Sequence, residues 1–181
     1  MYGLVNQSIQ GLVVDNYGQE TWDLIRLKSG VHEDFFESNK VYDDKVTYDL
    51  AAAASEVLKV SVHDVLSSFG KYWVLKIAKD KYGSLLNSGG SNFMQFLVNL
   101  PNFHSRVMLI YPEIRPPEFK VEKKSENVIL LHYYSTRLGL TAFMIGLIEG
   151  LSEFYGTPCE IKHVQSKVTE INNDVFEVTL V

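Results

Sequence analysis

The sequence predicts an α+β fold in which a helical N-terminal lobe precedes a four-stranded antiparallel sheet with one packed helix. Apolar residues recur at helical spacing up to about residue 111, whereas apolar and polar residues alternate in several later segments. With 181 residues, 46% of them hydrophobic and 22% charged, the chain has the composition of one globular domain. We therefore expect residues 1–181 to form a single domain with lobes at about 1–111 and about 119–181.

The first lobe is expected to contain five or six helices. Apolar residues at helical spacing indicate the first of them, namely Val5, Ile9, Leu12 and Val13. Gly18 predicts the end of this helix, and a second helix is expected to start near Thr21. Thr47 is expected to cap an alanine-rich helix over 48–58, because its hydroxyl can accept an otherwise unpaired backbone N–H.

The rest of the helical lobe is divided by serine, glycine and proline. Ser61 is expected to cap a helix over 64–79, in the same way as Thr47. A glycine-rich stretch at 83–90 predicts a break. The last helix of the lobe is expected over about 92–110, with Pro101 bending or restarting it.

The second lobe follows a proline-rich hinge over 111–119 that contains Pro112, Pro116 and Pro117, since proline cannot continue a helix. Beyond the hinge the expected order is strand, strand, helix, strand, strand, over 120–123, 128–137, 138–155, 160–169 and 174–181. A turn at 125–127 should join the first two strands, and one at Asn172-Asn173 the last two. This order is typical of an α+β domain.

Charge and cysteine content exclude several classes of protein. A formal charge of −5 and an isoelectric point near 5.5, without any basic run, argue against nucleic acid as a partner. Residues 1–15 carry no Lys or Arg, unlike a secretory signal, and the longest charge-free apolar run of the C-terminal half has only 11 residues, between Arg137 and Glu149. We therefore expect a cytoplasmic protein without a membrane span. The single cysteine, Cys159, cannot form an internal disulfide.

Tyr133, Ser135 and Arg137 form a candidate anion site. Side chains alternate along a strand, so all three would project to one face as a row of hydrogen-bond donors. A guanidinium can bind a carboxylate with two parallel bonds, and the hydroxyls can add one each, so a ligand with two carboxylates would fit. The alternative is an ordinary solvated strand face.

His104 is the second candidate, because it lies within an apolar stripe. Its helical neighbours are Leu97, Leu100, Val107 and Met108. Two interpretations stay open: a core histidine bonded to a backbone carbonyl, or a single axial ligand to a heme iron in a dry pocket. The other histidines are weaker candidates: His32, His63, His132 and His163.

Taken together, these features resemble the heme nitric oxide/oxygen binding (H-NOX) family, in its stand-alone bacterial form, which is related to the heme domain of soluble guanylate cyclases. The pattern is His104, then Pro116-Pro117, then Tyr133-x-Ser135-x-Arg137. The resemblance extends along the whole chain: Met1 to Asn6, Tyr17-Gly18, the segment around Ala52, Phe69-Gly70, Trp73, and Gly146 to Gly150.

The resemblance implies a role for each residue of the pattern. His104 would be the proximal ligand of the iron, and Tyr133, Ser135 and Arg137 would bind the two heme propionates. Pro117 would press on the porphyrin and hold it out of plane. The heme would lie between the lobes, as non-covalent heme b, because the chain has no Cys-x-x-Cys-His motif.

The resemblance also bears on the choice of gas. Oxygen-binding members carry a tyrosine donor on the helix after the Tyr-x-Ser-x-Arg strand; counting from Arg137 puts that position at Ala142, and counting from Gly146 puts it at Phe143. Neither residue is polar. The other residues expected around the gas are also apolar: Val5, Ile9 and Leu147. A sensor that binds NO and CO and rejects O₂ is implied, with Trp73 as the one residue expected there that could donate.

The expected function is signalling rather than catalysis. Binding of NO would release His104 and change the surface read by a separate partner, which the resemblance implies is a sensor histidine kinase or a cyclic-di-GMP enzyme. One alternative is a heme enzyme of the peroxidase or oxygenase type, which would need an acid/base group facing the iron. The other is a heme-free module that binds some other dianion.

Overall fold

The computed structural model describes residues 1–110, 116–166 and 173–181. Its helical part comprises α1 (Gly3–Tyr17), α2 (Gln19–Ser29), α3 (Asp44–Leu58), α4 (Val62–Tyr72), a π-helical segment (Trp73–Ala78), α5 (Lys79–Gly89) and α6 (Phe93–Ile110). The sheet part comprises β1 (Glu118–Lys123), β2 (Val128–Tyr134), α7 (Thr141–Phe154), β3 (Cys159–Gln165) and β4 (Asn173–Leu180). The predicted α+β class and the order strand, strand, helix, strand, strand are confirmed.

The first helices begin and end where short polar residues or glycine permit it. Gly18 separates α1 from α2 with φ of 85°, as its position predicted, although α2 starts at Gln19 and not near Thr21. The prediction of Thr47 as a cap is wrong. α3 starts earlier, because the carboxylate of Asp43 accepts the N–H of Lys45 at 2.8 Å. Thr47 lies inside the helix.

The region after Ser61 is more continuous than the sequence predicts. Ser61 caps α4 as expected, since its hydroxyl accepts the N–H of Asp64 at 3.0 Å. The chain then passes through the π segment directly into α5, so the predicted break at 83–90 is wrong. Leu86 is buried in the core, and its packing outweighs the modest helical cost of Gly83.

Helix α6 runs past Pro101, and its observed bounds agree with the predicted 92–110 to within a residue. Proline has no N–H to donate, so the turn before it lacks one helical hydrogen bond. Two side chains bond to carbonyls in this region: Ser105 Oγ donates to Pro101 O at 3.0 Å, and His104 Nδ1 lies 3.1 Å from Leu100 O. The helix therefore reaches Ile110 as a single element.

The four strands are antiparallel in the order β1-β2-β4-β3. Strand β2 ends at Tyr134, so the predicted strand over 128–137 is too long, and Ser135 and Arg137 lie in the turn before α7. Gly156, with φ of 61°, ends the α7 region as predicted. Pro112, Asn172 and the end of the predicted strand 160–169 fall outside the described residues.

The two parts of the fold pack through glycines where α4 crosses α7. A Cβ atom on Gly70 would collide with the Phe143 carbonyl oxygen and lie 2.8 Å from Leu147 N, and one on Gly146 would collide with the Ser67 carbonyl. Only glycine permits so close an approach of the two backbones. Within the described ranges, no helix is both long and apolar enough to cross a membrane.

Candidate functional site

A cavity of about 290 Å³ lies between the helical part and the sheet part. Apolar side chains from α1, the π segment, α5, α6, β1, β2 and α7 form most of its surface. Eight of the eleven residues expected around a heme and its gas ligand line it: Val5, Trp73, His104, Pro117, Tyr133, Arg137, Phe143 and Leu147. The other three, Ile9, Ser135 and Ala142, do not line it. A mostly apolar cavity at the junction of two packed units is a typical ligand site.

His104 projects into this cavity from α6. Its Nδ1 lies 3.1 Å from the carbonyl oxygen of Leu100. Because a carbonyl can only accept, Nδ1 must carry the proton, which leaves the lone pair on Nε2. Burial lowers the pKa of His104, so the imidazole is neutral at pH 7. The hydrogen bond to the Leu100 carbonyl uses Nδ1 and leaves the Nε2 lone pair available. A core histidine bonded to a backbone carbonyl and an axial ligand to an iron are therefore compatible interpretations.

Aromatic rings surround the imidazole. The ring centroid of Phe103 lies 5.6 Å from that of His104, and the ring of Phe119 lies 5.0 Å from it. We call these three residues the histidine wall. Phe119 in turn lies 5.5 Å from Tyr133, so a row of rings links α6 to the sheet. One member of the predicted apolar stripe is misplaced, because Met108 is 42% exposed on the outer side of α6.

Tyr133, Ser135 and Arg137 are close together, but not as a row on one strand. Tyr133 is buried on the inner face of β2, and burial raises the pKa of its phenol. Ser135 lies beyond the strand end, where its hydroxyl accepts the backbone N–H of Arg137 at 3.1 Å and interacts with the Tyr133 hydroxyl. The hydroxyls thus bond to each other and to the turn, and Arg137 carries the positive charge into the cavity.

Arg137 belongs to a group of three charges, which we call the charged rim: the Met1 ammonium, Asp44 and Arg137. Arg137 Nε donates to Asp44 Oδ2 at 2.9 Å, and the ammonium pairs with the same carboxylate and donates to Tyr42 O at 2.7 Å. Burial alone would raise the pKa of Asp44, but the ammonium and the guanidinium outweigh it and lower that pKa.

On the side formed by α1 and α7, the cavity is lined by Val5, Phe143 and Leu147. Phe143 and Leu147 lie one turn apart on α7. Ala142 is rotated by about 100° from Phe143 and packs in a second hydrophobic core, which is formed mainly by residues of α1 to α4. Ile9 is also buried in that core. Of the two positions counted from the sequence, the cavity therefore receives Phe143.

Other side chains with hydrogen-bonding capacity that line the cavity include Tyr2, Ser38, Asn39, Trp73 and Tyr82. Of these, the sequence indicates only Trp73 as a group near the gas. Tyr82 lies at a kink inside α5, with φ of −130° and ψ of 21°. A signal for it did exist, since Tyr82, Leu85 and Leu86 have helical spacing and all line the cavity. Tyr82 was missed because the sequence predicted a break at 83–90, so that Tyr82 and Leu86 were not assigned to one helix. Asp44 had no such local signal, because 93 residues separate it from Arg137.

The family of the chain follows from comparison with known proteins. A family model described as Haem-NO-binding matches residues 2–163. Soluble guanylate cyclase gcy-31 of Caenorhabditis elegans is 29% identical over 153 residues, which are 84% of this chain and 22% of the relative. Soluble guanylate cyclase 89Db of Drosophila melanogaster is 28% identical over 176 residues, 97% of this chain and 26% of the relative. The chain thus spans about a quarter of the length of these relatives.

Solved structures show the same fold. An Fe(II) unliganded H-NOX protein from K. algicida has a TM-score of 0.86 and 25% identity, covering 100% of this chain and 97% of that one. An H-NOX protein from S. oneidensis in the Fe(II)NO state has a TM-score of 0.88 and 20% identity, covering 100% and 99%. With the match over 162 of the 181 positions (2–163), the chain belongs to the haem-NO-binding family, the H-NOX family of heme-based gas-sensing domains.

Proposed function

We propose that this chain is a sensor of nitric oxide that holds ferrous heme b through His104, excludes O₂, and controls a separate signalling protein. The observation that carries the proposal is a single neutral imidazole, with its Nε2 lone pair available, in an apolar cavity between two packed units. One such ligand is sufficient for heme, because apolar burial of the macrocycle supplies much of the remaining affinity.

The residues of the site fit a heme. An apolar surface suits the macrocycle, and Arg137 offers a positive charge to the propionates with Tyr133 and Ser135 beside it. The contact with Asp44 uses Nε, and a guanidinium carries further N–H donors. Pro117 lines the cavity near the histidine wall. Attachment would be non-covalent, since the only cysteine is Cys159.

A bound heme would supply a ferrous iron that accepts diatomic gases. The part of this chain that can respond is His104, since it couples the cavity to α6. Its ring contacts Phe119 of β1, so a change in the position of the imidazole is felt by the sheet as well as by α6. We propose that release of His104 moves these elements relative to each other and alters the surface offered to a partner.

Rejection of O₂ depends on which hydrogen-bond donors face the gas. Bound O₂ is stabilised by a donor, whereas NO binds ferrous heme without one. Val5, Phe143 and Leu147 offer none. The test must include Trp73 and Tyr82, which line the cavity and carry an indole N–H and a phenol O–H that can donate.

The deciding experiment is an absorption spectrum of the reduced protein, expressed with ample heme supply, before and after NO, CO and air. We expect stable NO and CO complexes and no stable O₂ complex. A colourless protein would contradict the heme site, and a stable O₂ complex would contradict the choice of gas. In that second case, Trp73→Phe and Tyr82→Phe would identify the donor.

In the converse test, Phe143→Tyr should increase O₂ binding, whereas the matched Ala142→Tyr change lies outside the cavity and should not.

The partner requires a separate test. By resemblance to stand-alone family members, we propose a sensor histidine kinase or a cyclic-di-GMP enzyme acting in trans. The activity of a purified candidate should differ between the reduced and the NO-bound sensor. Equal activity with both forms would exclude that candidate.

A further inference from the structure

A buried carboxylate lies beside Tyr133 in the sheet. Asp174 is on β4, paired with Tyr133 of β2 in the sheet register, and is only 6% exposed. Its negative charge is close enough to act on the phenol, where it opposes the effect of Arg137. A buried anion at this position is unexpected in a site that would receive the two carboxylates of a heme.

His163 on β3 contacts this carboxylate. Its Nε2 lies 2.8 Å from Asp174 Oδ1. Because a carboxylate oxygen accepts, a proton on Nε2 makes the imidazole the donor. The ring is held in place by stacking on Phe176, with centroids 5.1 Å apart and an interplanar angle of 26°. The contact thus lies on the face of the sheet that carries Tyr133 and Phe176.

The same carboxylate touches the start of α7. Thr141, the first residue of that helix, places its hydroxyl 3.4 Å from Asp174 Oδ1. The first turn of α7 has no acidic residue, and Leu140 provides no side-chain cap, so Asp174 supplies the negative charge that a helix N-terminus favours. Asp174 therefore links β4 to the start of α7.

We propose that His163 is a positioning residue that offsets the charge of Asp174 behind Tyr133, so that this side of the cavity remains able to hold the carboxylates of a heme. The inference rests on the proposed function, because it assumes that the heme propionates lie near Tyr133 and Arg137. Without the imidazole, Asp174 would keep the Thr141 hydroxyl but lose its partner at 2.8 Å, so its charge would act more strongly on Tyr133 and would repel the propionates.

The test is a double-mutant cycle on the rate of heme loss to an excess of apomyoglobin. His163→Phe keeps a ring on Phe176 but removes the donor, and we expect it to speed heme loss about tenfold, since bonds to a charged group are strong. Asp174→Asn removes the charge and should change the rate by less than about twofold. In the double variant the rate should return to within about threefold of wild type. His132→Phe, on the outer face of the same sheet, is the matched control.

A readout without heme covers the case in which a variant folds poorly. In the heme-free protein with ¹³C-labelled tyrosine, Asp174→Asn should lower the pKa of Tyr133, and His163→Phe should raise it. The inference would be overturned if His163→Phe left the rate of heme loss unchanged. It would also be overturned if Asp174→Asn alone accelerated heme loss tenfold, or if the double variant lost heme as fast as His163→Phe. A wild-type protein that takes up no heme would instead overturn the proposed function.

Discussion

The histidine wall and the charged rim are opposite solutions to placing polar groups at one cavity. The wall holds one uncharged imidazole between two phenylalanine rings, and burial lowers its pKa. The rim holds a carboxylate between two cations, which lower the pKa of Asp44 against the effect of its burial. The wall thus favours a neutral group with an available lone pair, and the rim favours fixed charges that tie distant segments together.

The two regions also differ in what they connect. The wall joins α6 to β1 through the contact between His104 and Phe119. The rim joins the N-terminus and α3 to the turn before α7, and the Tyr48 hydroxyl adds a 2.7 Å hydrogen bond to Leu138 O in the same place. A change at the wall should therefore act on heme coordination, whereas a change at the rim should act on the association of segments.

The largest effect is expected at the wall. His104→Gly should remove the five-coordinate ferrous heme spectrum and lower heme affinity by at least about tenfold, because the cavity would lose its one imidazole ligand. Added imidazole should restore the spectrum by occupying the space that the side chain leaves. His63→Ala, at the exposed start of α4, is the control and should change nothing. An unaltered Soret band in His104→Gly would show that the iron has another ligand.

The predictable part of the fold followed from local signals. The antiparallel pairs β1–β2 and β3–β4, α7 and α6 were predicted because their periodicity agrees with the packing they adopt, although Asn173, predicted to lie in a turn, belongs to β4. The predicted cap at Thr47 was wrong because its hydroxyl donates instead to Asn6 Oδ1, at 2.7 Å inside the core. The break predicted at Gly83 was wrong because the burial of Leu86 outweighs the cost of one glycine in the helix.

The site was predictable where its residues share one element. The stripe on α6 placed His104 in the cavity, and helical spacing placed Phe143 and Leu147 on one face of α7. A helical face is only about 100° wide, so a one-residue error suffices to misplace Ala142. The rim could not be predicted, because Met1, Asp44 and Arg137 meet only after three elements have packed.

A second prediction concerns the charge state of the wall. Burial lowers the pKa of His104 from its ordinary value of 6.5, so below that pH the unfolded chain binds a proton that the folded chain does not. The heme-free protein should therefore lose stability as the pH falls below 6.5, by up to about 1.4 kcal/mol per pH unit, until the folded-state pKa is reached. Urea unfolding between pH 7 and 5 measures the slope. His104→Gln should flatten it; a slope equal to that of wild type would contradict the neutral buried imidazole.

The smallest effect is expected at the rim. The side chain of Asp44 is 37% exposed, so solvent screening limits the loss in Asp44→Asn to about 0.5–1 kcal/mol at pH 7 in the heme-free protein. Because the folded-state pKa of Asp44 is lowered, its contribution is present above the unfolded value of 3.8 and disappears as the pH falls through the folded value. The difference in unfolding free energy between wild type and Asp44→Asn should thus vanish in acid, whereas a simple packing defect would persist there. Asp49→Asn, which removes an exposed pair with Lys45 on the same helix, is the matched control and should cost less. If both variants lose the same unfolding free energy, the charged rim contributes no more than other surface charges, and the contrast with the histidine wall fails.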